Sequence, residues 1–427
     1  MDREKNRLEQ FRRLRKEIRG STEHLIVGID VAKDRHYAFM GTATGRVLYK
    51  KLVFDNSKEG FEKLILQVEA VRVGHGLTKV VFGLEPTANY HKPLGEFLIR
   101  KEHRVVLVAS DAVKKNRSLL DGRWDKHDTK DADNIADLIS QGKCVYYEFP
   151  CVELRELRNL LSMRRKLKKL EHGLRIRIRN HLVAQYFPEL DQCCSWAGQE
   201  GLAIVRWCLN PVEVSGLDYE EFLGRIHPRG QTHAQQHRLS AVWHKAPVSI
   251  GCQFGPSVQF EADKVVSLLK QVRQTIGDTD EQIKEICLQF ESYRYLLSIP
   301  GFGPSVCAMV LAAIGDPFRF SRGSQVLKMA GLDLSASRSG KYSADSRARI
   351  SKKGKSEVRY ALYQAALVAS SRDKHFIAYF IRKLTGREKE RGIKTKMRVK
   401  LTAKMLIIAW TLMKKKEFFD PQYLKID

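Results

Sequence analysis

The chain has 427 residues, of which 43% are hydrophobic, so it is long enough for two or three domains with separate cores. Lysine and arginine outnumber aspartate and glutamate by 75 to 49, and the resulting formal charge of +26 favours a polyanionic partner. The charged N-terminus and the lack of a membrane-length apolar run argue against secretion and a membrane location, so the expected partner is nucleic acid.

Two further features of the sequence fit a cytosolic protein. The eight cysteines form no CxxC pair and no zinc-binding pattern with histidine, so we expect them to be reduced and packed as small apolar residues. The longest apolar run near the C-terminus, Met405–Met413, is too short to cross a bilayer and is predicted to be a core helix.

The N-terminal part is predicted to alternate strands and helices. A basic surface helix ends at Gly20, and LIVGID (Leu25–Asp30) is apolar up to its last residue, as in a strand covered on both faces. One or two antiparallel strands around a turn at Thr44-Gly45 follow, and then a helix. A second buried strand, VVFGLE (Val80–Glu85), also ends in an acid.

The rest of this part continues the alternation. HKPLGEFLIRKEH predicts a helix, RVVLVAS a strand, and Asp128–Gln141 a helix with acids in its first turn. This order predicts an α/β domain of about 150 residues.

From Cys151 the pattern becomes helical. Apolar residues at heptad-like spacing predict two long helices that pair with each other or with a second protomer. These residues are Leu160, Leu167, Leu170 and Leu174 in the first helix, and Leu269, Val272, Ile276, Ile283, Ile286 and Phe290 in the second. Residues 186–256 between them show no clear periodicity. The dense basic face at residues 163–181 suits a phosphate backbone better than a merely solvated surface.

Four acids form the most informative pattern. Asp30 and Glu85 end two apolar strands, and Asp128 and Asp131 lie three residues apart at the start of a helix, on one face of it. Acids at the ends of neighbouring strands converge, and converging carboxylates need cations. Hard oxygen ligands suit Mg²⁺, and two such ions would serve phosphodiester chemistry. Helix capping by Asp128 or Asp131, and backbone hydrogen bonding by Asp30, are the alternatives.

The motifs around these acids resemble a known family. GIDVAKD, GLEPTANY and HDTKDADNIADLI resemble the N-terminal RNase H-like (RuvC-like) domain of the DEDD transposases of bacterial insertion sequences, the "IS one-ten" family. IPGFGPSVCAMVLAAIGDPFRF, AGLDLSASRSGK and ISKKGKSEVRYALYQAA resemble its second domain. The resemblance implies an α/β RuvC-like domain at 1–150, a helical coiled-coil linker at 151–290 and an all-α C-terminal transposase domain at 291–427. It leaves an insertion at about 186–256 uncovered.

The resemblance also implies a chemistry. Asp30, Glu85, Asp128 and Asp131 would hold Mg²⁺ (or Mn²⁺), and Ser339 would attack DNA to form a phosphoserine intermediate. From the residues alone, nothing selects one serine between 335 and 356, and Ser351 or Ser356 would equally serve as a helix cap.

The family further implies particular partners. They are donor and target DNA and a guide RNA from the element's non-coding end, on a homodimer that becomes a tetramer because strand exchange between two duplexes must cut four strands. The expected location is the bacterial cytoplasm, in association with the nucleoid.

Several residues are candidates for nucleic-acid contacts. IPGFGPSVCAMVL resembles a helix-hairpin-helix, whose Gly301 and Gly303 would let the backbone approach a phosphate, although a plain helix–helix turn fits equally well. Near Ser339, cationic residues would stabilise phosphate charge or contact the backbone. The cationic candidates are Arg338, Lys341, Arg347, Arg164, Arg165, Lys168, Arg175, Arg177, Lys352 and Lys353.

Three other functions compete with this interpretation. A RuvC-type structure-specific endonuclease would use water and need no serine, and a nucleic-acid-binding protein would keep the acids without using them. An actin-like ATPase also begins with a GID strand, but no glycine-rich phosphate loop follows it here.

Overall fold

The computed structural model describes residues 2–120, 128–193, 198–226, 232–335 and 349–425. The chain divides into two compact units, Met1–Cys151 and Val152–Asp427. Over the described ranges, every helix is either too short or too polar to cross a membrane.

The first unit is a six-stranded sheet with helices. Its strands are β1 (His24–Asp30), β2 (Arg35–Thr42), β3 (Val47–Asp55), β4 (Lys79–Leu84), β5 (Arg104–Leu107) and β6 (Val145–Tyr146). Its helices are α1 (Asp2–Glu17), α2 (Lys58–Gly74), α3 (His91–Arg100), α4 (Ser110–Leu120) and α5 (Asp128–Ser140).

The sheet has the order β3-β2-β1-β4-β5-β6. Strands β3, β2 and β1 pair antiparallel, as do β5 and β6, whereas β1, β4 and β5 run parallel. Apolar side chains fill both faces of β1, as a strand between two helical layers requires. The prediction of a mixed α/β N-terminal region is confirmed.

Helices α1 and α4 differ from the sequence expectation. Helix α1 is not only a basic surface helix, because Leu14 and, just beyond its end, Ile18 are buried against the sheet's core. It also ends at Glu17, before Gly20. Helix α4 was not predicted, since only Val113 of its apolar residues is strongly buried among those described, which leaves little periodicity to detect.

The second unit is almost entirely helical. It begins with α6 (Val152–Arg177), which continues through a π-helical turn (Ile178–Val183). The following helices are α7 (Ala184–Tyr186), α8 (Leu190–Cys193), α9 (Gln199–Trp207), α10 (Pro211–Ser215), α11 (Tyr219–Ile226), α12 (His233–Lys245) and α13 (Pro256–Leu288). The remaining elements are α14 (Glu291–Leu297), α15 (Pro304–Ile314), α16 (Gly323–Ala330), β7 (Leu334–Ser335), β8 (Arg349–Ile350), α17 (Ser356–Arg372), α18 (Lys374–Leu384) and α19 (Ile393–Lys415).

Helices α6 and α13 pair with each other along their length. In α13 the predicted apolar positions Leu269, Val272, Ile276 and Ile283 are buried. In α6 the leucine pattern predicted the buried positions less well, because Leu170 is 51% exposed and the buried residues are Leu154 and Leu157.

Besides a small cluster of Phe380, Ile393 and Met397, two large apolar clusters form the core of the second unit over its described residues. One joins α7–α12 to the end of α6 and the first half of α13, so the region without clear periodicity folds as short helices around its own core. The other contains α14–α19. It includes the run Met405–Met413 within α19, as predicted for a core helix. The division of this unit into a linker and a C-terminal domain stays a prediction.

No disulfide joins the seven described cysteines to one another. Four are buried, as expected of small apolar residues, whereas Cys151 and Cys252 are exposed.

Candidate active site

Asp30 and Glu85 lie side by side at one edge of the sheet. Asp30 is the last residue of β1, and Glu85 directly follows β4, whose final residue Leu84 pairs with Ile29. Since β1 and β4 are parallel neighbours, the two acids occupy the next register position at the same carboxyl edge. Both residues are half-buried.

A pair of glycines brings helix α5 close to these acids. Gly28 of β1 pairs with Gly83 of β4. A side chain on Gly28 would overlap the carbonyl oxygen of Ala132 and lie 2.7 Å from the amide nitrogen of Ala136, and one on Gly83 would overlap Ile139. Helix α5 therefore packs directly on the two strands, on the face to which Asp30 also points, two residues beyond Gly28.

A cleft of about 580 Å³ joins the three acids whose side chains are described. The charged residues that line it are the acids Asp30, Glu85 and Asp131 and the cations Lys33, Lys114 and Arg117. Asp131 is only 3% exposed, and it forms an ion pair with Arg117 from the last turn of α4. The structure thus brings together three of the four predicted acids and adds a cation that the sequence did not predict.

A buried amide network fixes α4 against α5 beside this cleft. Asn116 Nδ2 donates to Asn134 Oδ1 at 2.6 Å and to Asp137 Oδ2 at 2.8 Å. Asn134 Nδ2 donates to the carbonyl oxygen of Val113 at 2.8 Å. Asn134 is fully buried, so the network satisfies polar groups that would otherwise be costly and sets the register of the two helices.

The fourth acid, Asp128, is the first residue of α5, and its side chain lies outside the described residues. Within the described part of the chain, no three His, Cys, Asp or Glu side chains are close enough to hold a metal ion. The donors nevertheless fit a hard cation, because they are carboxylates and the buried Asp131 is compensated by a positive group.

The proposed nucleophile belongs to the second unit. Ser339, Arg338, Lys341 and Arg347 fall outside the described residues. The segments that flank them in sequence pair as a ribbon, Leu334 with Ile350 and Ser335 with Arg349.

A side-chain contact fixes the base of that ribbon. Ser351 Oγ donates a hydrogen bond to Asp333 Oδ1, and the Ser351 amide donates to the Asp333 carbonyl at 2.8 Å. Neither Ser351 nor Ser356 is the cap of α17, since the residue at the N-cap is Lys355.

The second unit also contains a groove, here called the cationic groove, between α6, the end of α15 and the start of α17. Its volume is about 950 Å³. Its cations are Arg158, Arg164, Arg165 and Lys168 of α6 and Lys355. Three of these five, Arg164, Arg165 and Lys168, are among the residues predicted to contact nucleic acid.

The basic face of α6 is more fully ion-paired than its sequence indicates. Arg164 pairs with Asp280 and Arg177 with Glu261, both from α13, and Arg165 pairs with Glu357. Lys168 lies 2.9 Å from Glu171, which also pairs with Arg273. Arg175, Lys352 and Lys353 are exposed. The exposed pair of Arg165 with Glu357 is of the weak kind, about 0–1 kcal/mol, so it does not prevent exchange with phosphate, whereas Arg164 is partly buried in its pair.

The two glycines of the predicted helix-hairpin-helix have different environments. Gly301 has a φ of +85°, and a side chain there would overlap the carbonyl oxygen of Ala365 and lie 3.1 Å from the Ala369 side chain. Its small size is therefore explained by packing on α17, without a phosphate. Gly303 faces open space at the start of α15, so a ligand has room to approach its backbone.

Comparison with known proteins shows which family the chain resembles. A model of the DEDD transposases of the IS110 group matches residues 27–188, and a model described as transposase of the IS116/IS110/IS902 family matches residues 293–380. Together they cover more than half of the chain.

Two curated relatives are proteins of insertion elements. The uncharacterized 44.8 kDa protein of insertion element IS116 from Streptomyces clavuligerus is 22% identical over 412 residues, which are 94% of this chain and 98% of that protein. The uncharacterized 42 kDa protein of insertion element IS900 from Mycobacterium paratuberculosis is 28% identical over 170 residues, which are 39% of this chain and 41% of that protein. The chain therefore belongs to the IS116/IS110/IS902 family of transposases.

Proposed function

We propose that this transposase cuts and exchanges DNA strands with Asp30, Glu85, Asp128 and Asp131 as a divalent-metal site and Ser339 as the nucleophile. The observation that carries the metal site is the common cleft of Asp30, Glu85 and Asp131 at the carboxyl ends of adjacent parallel strands. In the sheet, the antiparallel strands β3, β2 and β1 are followed by β4 and β5, which run parallel to β1. This strand order supports an RNase H-like fold for the first unit.

The acidic cleft suits Mg²⁺ or Mn²⁺. Carboxylate oxygens are the ligands these ions prefer, and a bound divalent ion supplies charge stabilisation to a phosphodiester. Lys33 and Lys114 lie in the same cleft, so the chain itself supplies cations that orient the DNA phosphate.

The serine step conserves the phosphodiester bond energy. Ser339 Oγ forms a bond to phosphorus as one P–O ester bond of the DNA breaks, and the serine proton ends on the released DNA hydroxyl. Attack of a hydroxyl from another strand on the phosphoserine reverses these changes and returns the proton to Ser339. Strand exchange therefore needs no external energy source, whereas hydrolysis by water would leave a break. The support for Ser339 is its position in the family motif SRSGK.

The nucleic acid would be held mainly through its backbone. The cationic groove and the exposed Arg175, Lys352 and Lys353 present positive charge from the second unit. Arg338, Lys341 and Arg347 adjoin Ser339 in sequence. A guide RNA that pairs with DNA would leave the protein to recognise backbone and shape, which suits so large a positive charge. Cutting four strands requires a homodimer to assemble as a tetramer.

The test is a strand-exchange assay with the RNA that copurifies with the chain and with DNA of the element's ends and target. Wild-type protein should form a covalent DNA adduct and recombined DNA, whereas Ser339→Ala and Asp30→Asn should form neither. Ser371→Ala, an exposed serine of α17, is the matched control and should behave as wild type. Cutting by Ser339→Ala at the wild-type rate would instead establish hydrolysis by water, as in a RuvC-type endonuclease. DNA binding without any cutting would indicate a non-catalytic protein.

A further inference from the structure

The ion pair between Arg117 and Asp131 has a consequence for metal binding. We infer that Arg117 is a displaceable counter-ion of the acidic cleft, which neutralises Asp131 in the metal-free protein and leaves it when a divalent cation binds. The inference rests on the proposed metal function of Asp131. It concerns Arg117, which is not one of the proposed metal ligands.

The burial of Asp131 shows why a counter-ion is needed. The residue is 3% exposed, and an ionised carboxylate with so little contact with water requires a cation or several hydrogen-bond donors. Its Oδ1 faces the Arg117 guanidinium, and both residues line the cleft that also contains Asp30 and Glu85. The positive charge therefore already lies at the carboxylate that a metal ion would use.

Arg117 and a metal ion would compete for the same oxygen. Among the described residues, the acids form no group of three that is ready to hold an ion, and Asp131 is engaged by Arg117. Coordination by Asp131 thus requires the guanidinium to move away. Two positive groups beside one carboxylate would also repel each other, which adds to the competition.

The surroundings of Arg117 allow its side chain to move while the helix stays in place. Helix α4 is held against α5 by the hydrogen bonds of Asn116 and Asn134, one turn or less from Arg117. The Arg117 side chain is 27% exposed, so its guanidinium reaches solvent by rotation about its own flexible stem. The exchange therefore needs no rearrangement of the fold.

The experiment measures Mn²⁺ binding to the full chain by electron paramagnetic resonance and calorimetry, for wild type and Arg117→Gln. The variant should bind Mn²⁺ about tenfold more tightly, which corresponds to about 1.4 kcal/mol. The gain is expected because metal binding to the variant does not have to break the ion pair of Asp131 with Arg117. Without metal it should melt at a lower temperature than wild type, and saturating Mn²⁺ should close that gap. Arg117→Lys keeps the charge and the fold and should bind Mn²⁺ with an intermediate affinity.

Two controls separate this effect from general changes of charge and from the metal site itself. Lys115→Gln removes one positive charge from the same helix, at an exposed ion pair with Asp111 at 3.0 Å, and should leave Mn²⁺ affinity unchanged. Asp131→Asn should lose the Mn²⁺ site in either background. Equal affinities of wild type and Arg117→Gln, with binding lost in Asp131→Asn, would overturn the counter-ion role and leave the metal function intact. Binding that persists in Asp131→Asn, or no binding by any of these proteins, would overturn both.

Discussion

Gly28 and Gly83 lie opposite each other on β1 and β4, and neither has room for a side chain because helix α5 rests on both. Each glycine precedes a predicted catalytic acid by two residues, Asp30 and Glu85 respectively. The absence of two side chains thus sets the distance between the sheet edge and the start of α5, where Asp128 and Asp131 lie.

Gly28→Ala is expected to disturb the acidic cleft. The new methyl group would overlap the carbonyl oxygen of Ala132, so α5 must shift, at a cost of roughly 1–3 kcal/mol. Thermal unfolding and strand exchange should both decline. Gly74→Ala, where a side chain meets open space at the end of α2, should leave both unchanged. Strand exchange by Gly28→Ala at the wild-type rate would show that the reaction does not depend on the position of α5.

Asp30→Asn and Glu85→Gln should each reduce strand exchange by about a hundredfold or more, because each removes a ligand of the divalent cation that would stabilise charge on the reacting phosphate. DNA affinity should fall little, since the cationic groove lies in the other unit. Asp55→Asn, at an exposed ion pair with Arg35, is the matched control. Retention of exchange after loss of either carboxylate would remove that residue from the site.

Contacts in the cationic groove should appear in the salt dependence of nucleic-acid binding. Arg165→Gln and Lys168→Gln should each reduce the slope of log affinity against log salt concentration by about one, as expected for loss of one phosphate contact. Arg387→Gln, which lies in the same unit and pairs with Glu390, should leave the slope unchanged. Equal slopes for all three variants would exclude the groove as a phosphate-binding surface.

Acidification should destabilise the first unit through three buried histidines and the half-buried His103. Burial lowers the pKa of His24, His36, His91 and His103. The unfolded chain therefore binds more protons than the native unit below about pH 6.5, so stability is present above that pH and is lost as the pH falls.

Urea unfolding followed by proteolysis and mass spectrometry should show this loss in peptides from residues 24–107. The loss should be smaller in His36→Asn, whose Oδ1 takes the place of Nδ1 as the acceptor for the Ala32 amide hydrogen. His244→Gln, exposed in the second unit, should not change it. If the urea resistance of residues 24–107 does not change between pH 7.5 and pH 5, these histidines do not make the stability of the first unit depend on pH.

The strands that carry the acids were predictable because burial on both faces leaves nearly unbroken apolar runs, as in LIVGID and VVFGLE. The glycines within those runs were a signal that sequence reasoning did not use: glycine two residues before each acid marks the close approach of α5. Helix α4 and Arg117 escaped prediction, since Val113 is the one well-buried apolar side chain among the described residues of this short helix, which leaves no distinct period.

The helical unit shows the limits of counting charges and leucines. The basic face of α6 predicted open cations, but partners such as Asp280 and Glu261 lie about a hundred residues away along the chain. Leu170 fits a heptad yet is exposed, because the contact with α13 uses other positions there. Partners brought together only by tertiary structure leave no local pattern in a single sequence.

The central claim is that Asp30, Glu85 and the acids of α5 hold one divalent cation site. Its most direct test replaces Mg²⁺ by Fe²⁺ and generates hydroxyl radicals with peroxide, so that the backbone is cut next to the bound ion. The cuts should map to the end of β1, the end of β4 and the start of α5, and they should disappear with excess Mg²⁺ or in Asp30→Asn. Cuts confined to other segments, or cuts at these positions that persist in Asp30→Asn, would contradict it.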